Sequence, residues 1–390
     1  MIQACDVVLI GGGLANSLIA LALRRSHPAL SIVMIERRTA PDDDHTWCLF
    51  ESDVAAVDWT AIAPLLDPVW SGYDVVFPDY VRSLTTRYGR LSSASLAGAV
   101  ETSLGGRLLR GRVVHAVTPD TVSCDTGEMF RAGLVIDGRG AAASPHIHLA
   151  FQKFVGLEVI LSEPHGVTRP VIMDASVTQV DGYRFVYVLP LAPDRLLIED
   201  TRYSDTPGLD AAALQGEVLR YADQRRWQVS RTMRSESGAL PIVLGGDFAA
   251  HEREYDAAVP RVGMRGLFFH ATTGYSLPSA LRVARLIAAA SSLESPTVAR
   301  MLRADAASHW RRQAFNRALN RMMFLACEPT ARYRILQRFY RLPQGLIERF
   351  YGGTTTIADK IRLVSGRPPV PVRRALPALF PSAAAGRARG

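Results

Sequence analysis

Residues Asp6–Leu21 read DVVLIGGGLANSLIAL. Val7–Ile10 is continuously apolar, as a strand covered on both faces must be. Gly11–Gly13 makes a turn, and Leu14–Arg25 repeats apolar residues at helical spacing, with Leu14, Leu18, Leu21 and Ala22 on one face. Ser31–Ile35 is a second apolar strand, closed by Glu36. A strand, a glycine turn, a helix and a second strand ending in an acid together form a unit that holds a dinucleotide. Gly11 permits the tight turn, Gly13 lets backbone N–H groups approach a pyrophosphate at the positive end of the helix, and Glu36 can accept from ribose hydroxyls. The residues assigned to the cofactor here are Gly11, Gly12, Gly13, Leu14, Ala15, Asn16 and Glu36. Asn16 stands where the common fingerprint has a third glycine. Its bulk predicts either a helix standing off the strand or a side chain that donates to the ligand. The Glu36 carboxylate repels a 2′-phosphate, which favours FAD or NAD over NADP. A second glycine turn at Thr272–Gly274, just ahead of another helix, favours FAD, whose ring end commonly meets a second helix N-terminus.

A chain of 390 residues predicts two or more domains, and 48% apolar with 21% charged residues is a globular composition. No uncharged apolar run reaches membrane-spanning length, and the N-terminus lacks the pattern of a signal peptide, so a cytoplasmic protein is expected. The four cysteines, Cys5, Cys48, Cys124 and Cys327, form no CxxC pair. That fits a reducing compartment without a disulfide framework. His146 and His148 make an HxH pair that no further ligand motif supports, and no metal is expected. Net charge is +8, and the arginine excess is concentrated in 300–390. Such an excess is either a solvated surface or a seat for an anionic partner; no nucleic-acid motif accompanies it, so nucleic acid is not expected as a partner.

Beyond the opening unit, Ser92 or Ser93 caps a helix through Leu104. Strands are predicted at Arg112–Ala116, Thr121–Cys124 and Gly133–Ile136, the last running into DGRG at Asp137–Gly140. From Phe151 to Asp200 the pattern is one of short alternating strands, clearest in YRFVYVLPL and DRLLIED, which predicts an antiparallel sheet. Leu209–Arg226 reads as a helix. GLFFHATTGYSLPSALRVARLIAAA reads as strand, glycine turn and helix, and Thr297–Tyr351 is helical, rich in arginine and aromatics. The tail SGRPPVPVRRALPALFPSAAAGRARG is proline-rich and reads as extended. The expected class is α/β: a Rossmann-like FAD-binding domain over 1–150 and 236–295, an antiparallel substrate domain over 151–235, and a helical, basic region over 296–390.

GGGLAN (Gly11–Asn16), HTW (His45–Trp47), VIDGRG (Val135–Gly140), GYRFVYVLPL (Gly182–Leu191), LLIEDT (Leu196–Thr201), GALPI (Gly238–Ile242) and TTGYSLP (Thr272–Pro278) occur in order along the chain. With LNRMMFLA (Leu319–Ala326) and QRFYRLP (Gln337–Pro343), this combination resembles the bacterial lycopene β-cyclase family, whose glycine turn also carries the asparagine. The resemblance implies an aromatic-hydroxylase-type flavoprotein fold and FAD used in its reduced form, with NAD(P)H or another reductant keeping the flavin reduced. It adds Asp137, Gly138, Thr273, Gly274 and Tyr275 to the cofactor residues. It implies lycopene and related acyclic carotenoids as substrates, an isomerase or intramolecular-lyase reaction making β-rings without net redox, and peripheral association with the inner membrane surface.

Closing a ring on a terminal alkene needs a proton donor, and a carboxyl serves at neutral pH only if burial keeps it protonated. Glu199 follows the apolar run Leu196–Ile198 and is expected to emerge into a cavity; the resemblance makes it the general acid. Asp200 faces the other way if the strand continues and shares the cavity if the strand ends there. The plain alternative is a pair of acids at a strand end, bridged to Arg184 or Arg202. The final base is open between the flavin, a water and Asp200. Tyr183, Phe185 and Tyr187 share one strand face, as core or as cavity wall. The aromatics between Trp310 and Tyr351 either lie in a membrane interface or point inward.

Overall fold

The computed structural model describes residues 2–41, 45–366 and 373. Among them, the opening strand Ile2–Ile10 lies inside a six-stranded sheet. Ile32–Glu36 and Met129–Asp137 flank it in parallel register, Leu108–Arg110 continues the parallel set, and Thr121–Cys124 with Val114–Val117 completes it antiparallel. The continuous apolar run is explained by burial on both sides. Leu9, Met34 and Ile136 pack against the helices Leu14–Ser26 and Leu277–Ala288, while Val8, Ile10 and Val135 pack with Val122 and Phe130. Ser92 caps the helix Ser93–Leu104, its hydroxyl accepting from the Ser95 amide at 3.1 Å.

A second, seven-stranded sheet runs in the order Val229–Gly246, Ile147–Leu161, Arg195–Ser204, Tyr183–Ala192, Val171–Asp174, Tyr73–Phe77 and Tyr80–Leu84. All pairs are antiparallel except Val171–Asp174 with Tyr73–Phe77. The sheet thus draws two strands from before residue 151 and one that continues past 235. One face, with Val186, Val188, Leu196 and Ile198, is covered by the helix Ala211–Gln224. The other, with Phe185, Tyr187, Leu197 and Tyr203, faces the C-terminal helices and the cavity described below. A small sheet of Thr46–Phe50, Tyr88–Ser92 and Val69–Trp70 bridges the two halves.

One expectation needs correction, and one open alternative is resolved. The apolar GLFFH stretch forms no strand: Gly263–Gly266 is a short 3-10 turn and Leu267 takes a left-handed conformation at φ +58°. Side chains take the place of strand neighbours there. Gln313 Nε2 donates to the Phe269 carbonyl at 3.0 Å, and Asn320 Nδ2 donates to the Ala271 carbonyl at 2.8 Å. The C-terminal helices Ser295–Arg312, Ala314–Arg321, Tyr333–Phe339 and Gln344–Tyr351 turn their aromatics inward. Phe324, Phe339, Tyr340, Phe350 and Tyr351 join the core with Tyr73, Phe77 and Tyr183, so these rings form no membrane face. What is exposed is the next helix, Ile357–Val364, where Ile357 is 77%, Ile361 61% and Val364 51% accessible. The proline-rich tail lies almost wholly outside the described residues.

Candidate active site

The glycine turn is built around Asn16. The side chain neither pushes the helix away nor offers its amide to a ligand: Nδ2 donates to the Ile10 carbonyl at 2.8 Å and to the Gly11 carbonyl at 2.9 Å. Space for it comes from Gly138, just past the end of the neighbouring strand, where a Cβ would stand 2.6 Å from Asn16 Nδ2. The glycine that the common fingerprint puts on the helix has in effect moved across to DGRG. Gly11 is at φ +92°, and a Cβ on it would stand 2.8 Å from the Gly138 carbonyl oxygen. At Gly13, by contrast, a Cβ would meet nothing within 4 Å. The Gly12 amide donates to Glu36 Oε2 at 2.6 Å. Gly12, Gly13, Glu36, Arg38, Leu96 and Arg110 are among the residues around a cleft of about 670 Å³. The helix opening on it, Leu14–Ser26, has no side-chain cap and no acid in its first turn.

A second cavity of about 930 Å³ shares His45 and Trp47 with the first. Their rings stack at 5.7 Å. Phe185, Tyr187, Tyr203, Tyr275 and Tyr351 line it, together with Thr273, Gly274, Glu199 and Glu236. Gly274 is at φ +69°, and a Cβ on it would meet Leu240 Cβ at 2.7 Å. The helix that follows, Leu277–Ala288, also begins without a side-chain cap or a first-turn acid. Two helix N-termini without side-chain caps or first-turn acids thus border the two adjoining cavities, a donor set that fits a long dinucleotide with a pyrophosphate at one end and an electron-rich ring at the other. Burial pushes the phenols of Tyr187, Tyr203, Tyr275 and Tyr351 upward, so they stay neutral.

Glu199 lies on the cavity face of Arg195–Ser204, with Leu197 and Tyr203. Burial first, then the neighbouring charge of Glu236, pushes its carboxyl up to about 8; the Thr201 hydroxyl, donating to Oε1 at 2.5 Å, pulls the other way. A carboxyl so placed keeps its proton at neutral pH and can give it to an apolar substrate.

The family model described as lycopene cyclase protein matches residues 6–377. The protein named lycopene beta-cyclase of Pseudescherichia vulneris is 45% identical over 370 residues, covering 95% of this chain and 96% of that protein. The one of that name from Paracoccus sp. (strain N81106 / MBIC 01143) is 46% identical over 373 residues, covering 95% and 96%. This chain belongs to the lycopene cyclase family. The fold it shares with solved flavoproteins is seen in the flavin-dependent brominase Bmp2, at a TM-score of 0.61 and 14% identity over 90% of this chain and 94% of that one.

In this member of the lycopene cyclase family the strand continues through Asp200 to Ser204, so Asp200 is turned away from the cavity. It is fully buried beneath the helix Ala211–Gln224, where Arg184 Nε donates to Oδ2 at 2.7 Å and Arg202 Nε to Oδ1 at 3.0 Å. Held by two guanidiniums on the far face of the strand, it does not line the cavity. Asp137 likewise faces arginines: Arg139 Nε and Nη2 donate to it at 2.9 and 2.7 Å, and Arg265 is 3.3 Å away. Asp137 and Gly138 shape the turn from behind, and Leu14 and Ala15 are buried in the core, leaving Gly12, Gly13 and Glu36 to line the cleft. Sequence reasoning missed Glu236. It lies two residues before the quoted GALPI, inside RSESG, where alternation with arginine and serine reads as a solvated edge.

Proposed function

We propose that the chain is a lycopene β-cyclase, converting the acyclic ends of lycopene to β-rings without net redox. The observation that carries this reading is the Glu199 carboxyl on the wall of an aromatic cavity that shares His45 and Trp47 with a dinucleotide cleft, where burial favours its protonated form. The bacterial relatives that bear this name align over almost the whole chain.

Glu199 gives its proton to the terminal alkene. The tertiary cation so formed is attacked by the nearby double bond, and the ring cation loses a proton back to the Glu199 carboxylate, directly or through the site, which restores the starting state. Tyr187, Phe185, Tyr275 and Tyr351 keep water away from the cation and present aromatic faces to it. Gly12, Gly13 and Glu36 would hold the ADP part of FAD, and the backbone of Thr273, Gly274 and Tyr275 its ring end. Reduced FAD, kept so by NAD(P)H or another reductant, would supply negative charge that stabilises positive charge nearby.

The substrate is a lipid-soluble polyene, and the exposed Ile357, Ile361 and Val364, interleaved with Lys360 and Arg362, suit an anionic inner-membrane surface. Among the described residues no helix is long and apolar enough to cross a membrane.

Expression in lycopene-accumulating bacteria tests the reading. Pigments with β-rings are expected, and the purified protein should consume no reductant per ring. Unchanged lycopene, or one reductant spent for each ring, overturns it.

A further inference from the structure

Three adjacent strands set two glutamates in one row. Gly156 is the register partner of Glu199 on one side and of Glu236 on the other. Partners in register point to the same sheet face, and both acids line the cavity. A Cβ on Gly156 would stand 3.0 Å from Glu236 Cγ and 3.3 Å from its Oε1. Glu236 therefore leans across the space that a residue without a side chain leaves open.

The two acids have different partners. Glu236 is 3% accessible, and Arg234 Nη1 donates to its Oε2 at 2.8 Å. Arg234 is itself fixed, its Nε donating to Glu158 Oε2 and its Nη2 to the Thr46 hydroxyl, each at 2.7 Å. Among the described residues no cation pairs with Glu199; its carboxyl accepts from the Thr201 hydroxyl. Two carboxyls turned to one cavity across a side-chain-free residue resist ionising together, and the arginine favours Glu236 as the charged one.

We propose that Glu236 is a positioning residue: its arginine-held charge, set across Gly156 from Glu199, keeps Glu199 protonated and thereby fixes the upper pH limit of ring closure. The second clause rests on the cyclase reading; the pairing of the carboxyls does not. Other groups facing Glu199 do not supply this control. The phenols of Tyr187, Tyr203, Tyr275 and Tyr351 and the Cys48 thiol are pushed upward by burial. Asp200, on the opposite face, is held by arginines. His45 also lines the cavity, so His45→Gln is the control.

The test has two readouts on FAD-loaded protein. One is the infrared carbonyl band of a protonated carboxyl, identified as Glu199 by its loss in Glu199→Gln and titrated in the variants. The other is the pH profile of ring formation from lycopene in vesicles. An acid works while protonated, so activity falls as pH rises through the Glu199 midpoint. Glu236→Gln should move both the band midpoint and that limb down by about one pH unit or more. Glu236→Asp should restore most of the shift, and His45→Gln should leave the band midpoint in place. Gly156→Ala, whose methyl displaces Glu236, should act like Glu236→Gln and serves if that variant does not fold. A band midpoint unchanged in whichever of the two folds, or a rate lowered equally at all pH values, overturns the proposal. Shifted bands with no rings from any variant uphold the carboxyl pair and overturn the cyclase reading instead.

Discussion

Glu199→Gln is expected to abolish ring formation and to make the folded chain more stable at alkaline pH. In the folded chain, burial and then the charge of Glu236 hold this carboxyl up to about 8, against an ordinary value of 4.5. Below 4.5 both folded and unfolded chains carry the proton, and the substitution relieves nothing. Between the two values the folded chain keeps a proton that the unfolded chain has released, so wild-type stability falls as pH rises; above about 8 the fall is complete. At about 1.36 kcal/mol per pH unit, the window sets a ceiling of about 5 kcal/mol. Glu199 is only half-buried, and water entering the cavity screens it, which brings the expected gain near pH 8 to on the order of 2 kcal/mol. Gln keeps an oxygen to accept from Thr201, so no donor is orphaned. For a chain of this size the gain corresponds to about 2–3 °C in Tm. Thermal unfolding of FAD-loaded wild type and variant across the pH range checks it. The difference in Tm should be near zero at the acidic end and grow towards pH 8. A difference that is flat with pH would show that Glu199 carries no raised pKa in the folded chain, and the acid role would fall with it.

Asp200→Asn leaves Arg184 and Arg202 without their buried counter-charge and should cost about 3–5 kcal/mol in unfolding measurements, while the fraction that folds still makes rings; loss of rings without loss of stability would return Asp200 to the chemistry. Asn16→Ala removes the donor from the Ile10 and Gly11 carbonyls, which should lower stability by about 1–3 kcal/mol and hasten flavin release on heating; unchanged release would detach the turn from cofactor binding. Ile357→Asp with Ile361→Asp should reduce co-sedimentation with anionic vesicles severalfold and leave flavin content unchanged; undiminished binding would place the membrane contact elsewhere.

What the sequence made legible was local. The strand, turn, helix and second strand through Glu36 follow one another without interruption, and each declares its period within a few residues. The alternation in YRFVYVLPL and DRLLIED does the same for the central strands of the larger sheet. What it hid was long-range or substitutive. Nothing in Tyr73–Phe77 or Tyr80–Leu84 announces that they extend a sheet whose other strands begin at Ile147. GLFFH has the apolar run of a strand, and its backbone is satisfied without one by local turns and by side chains far along the chain, Gln313 on the Phe269 carbonyl and Asn320 on the adjoining Ala271 carbonyl. Asn16 looked like a departure from the fingerprint because its compensation, Gly138, lies far along the chain, just past another strand. Glu236 was hidden among serine and arginine because the glycine beside it, Gly156, belongs to a different segment.

Alternation along a single strand writes two opposite fates for adjacent acids. Leu197, Glu199 and Tyr203 face the cavity, and Leu196, Ile198 and Asp200 face the helix Ala211–Gln224. On the helix side Arg184 bridges Asp200 to Glu217, so that acid is tied to its charge. On the cavity side there is one hydroxyl and a second carboxylate, so that acid is tied to its proton. The difference arises from strand phase, since both residues are carboxylic acids of similar intrinsic strength. A one-residue insertion between Ile198 and Glu199 would exchange the faces of everything that follows. Asp200 would be carried to the cavity away from Arg184, with Arg202 moving beside it, and Glu199 to Arg184 without its cavity. The proton donor is therefore specified by the continuity of the strand through Asp200 as much as by the glutamate itself.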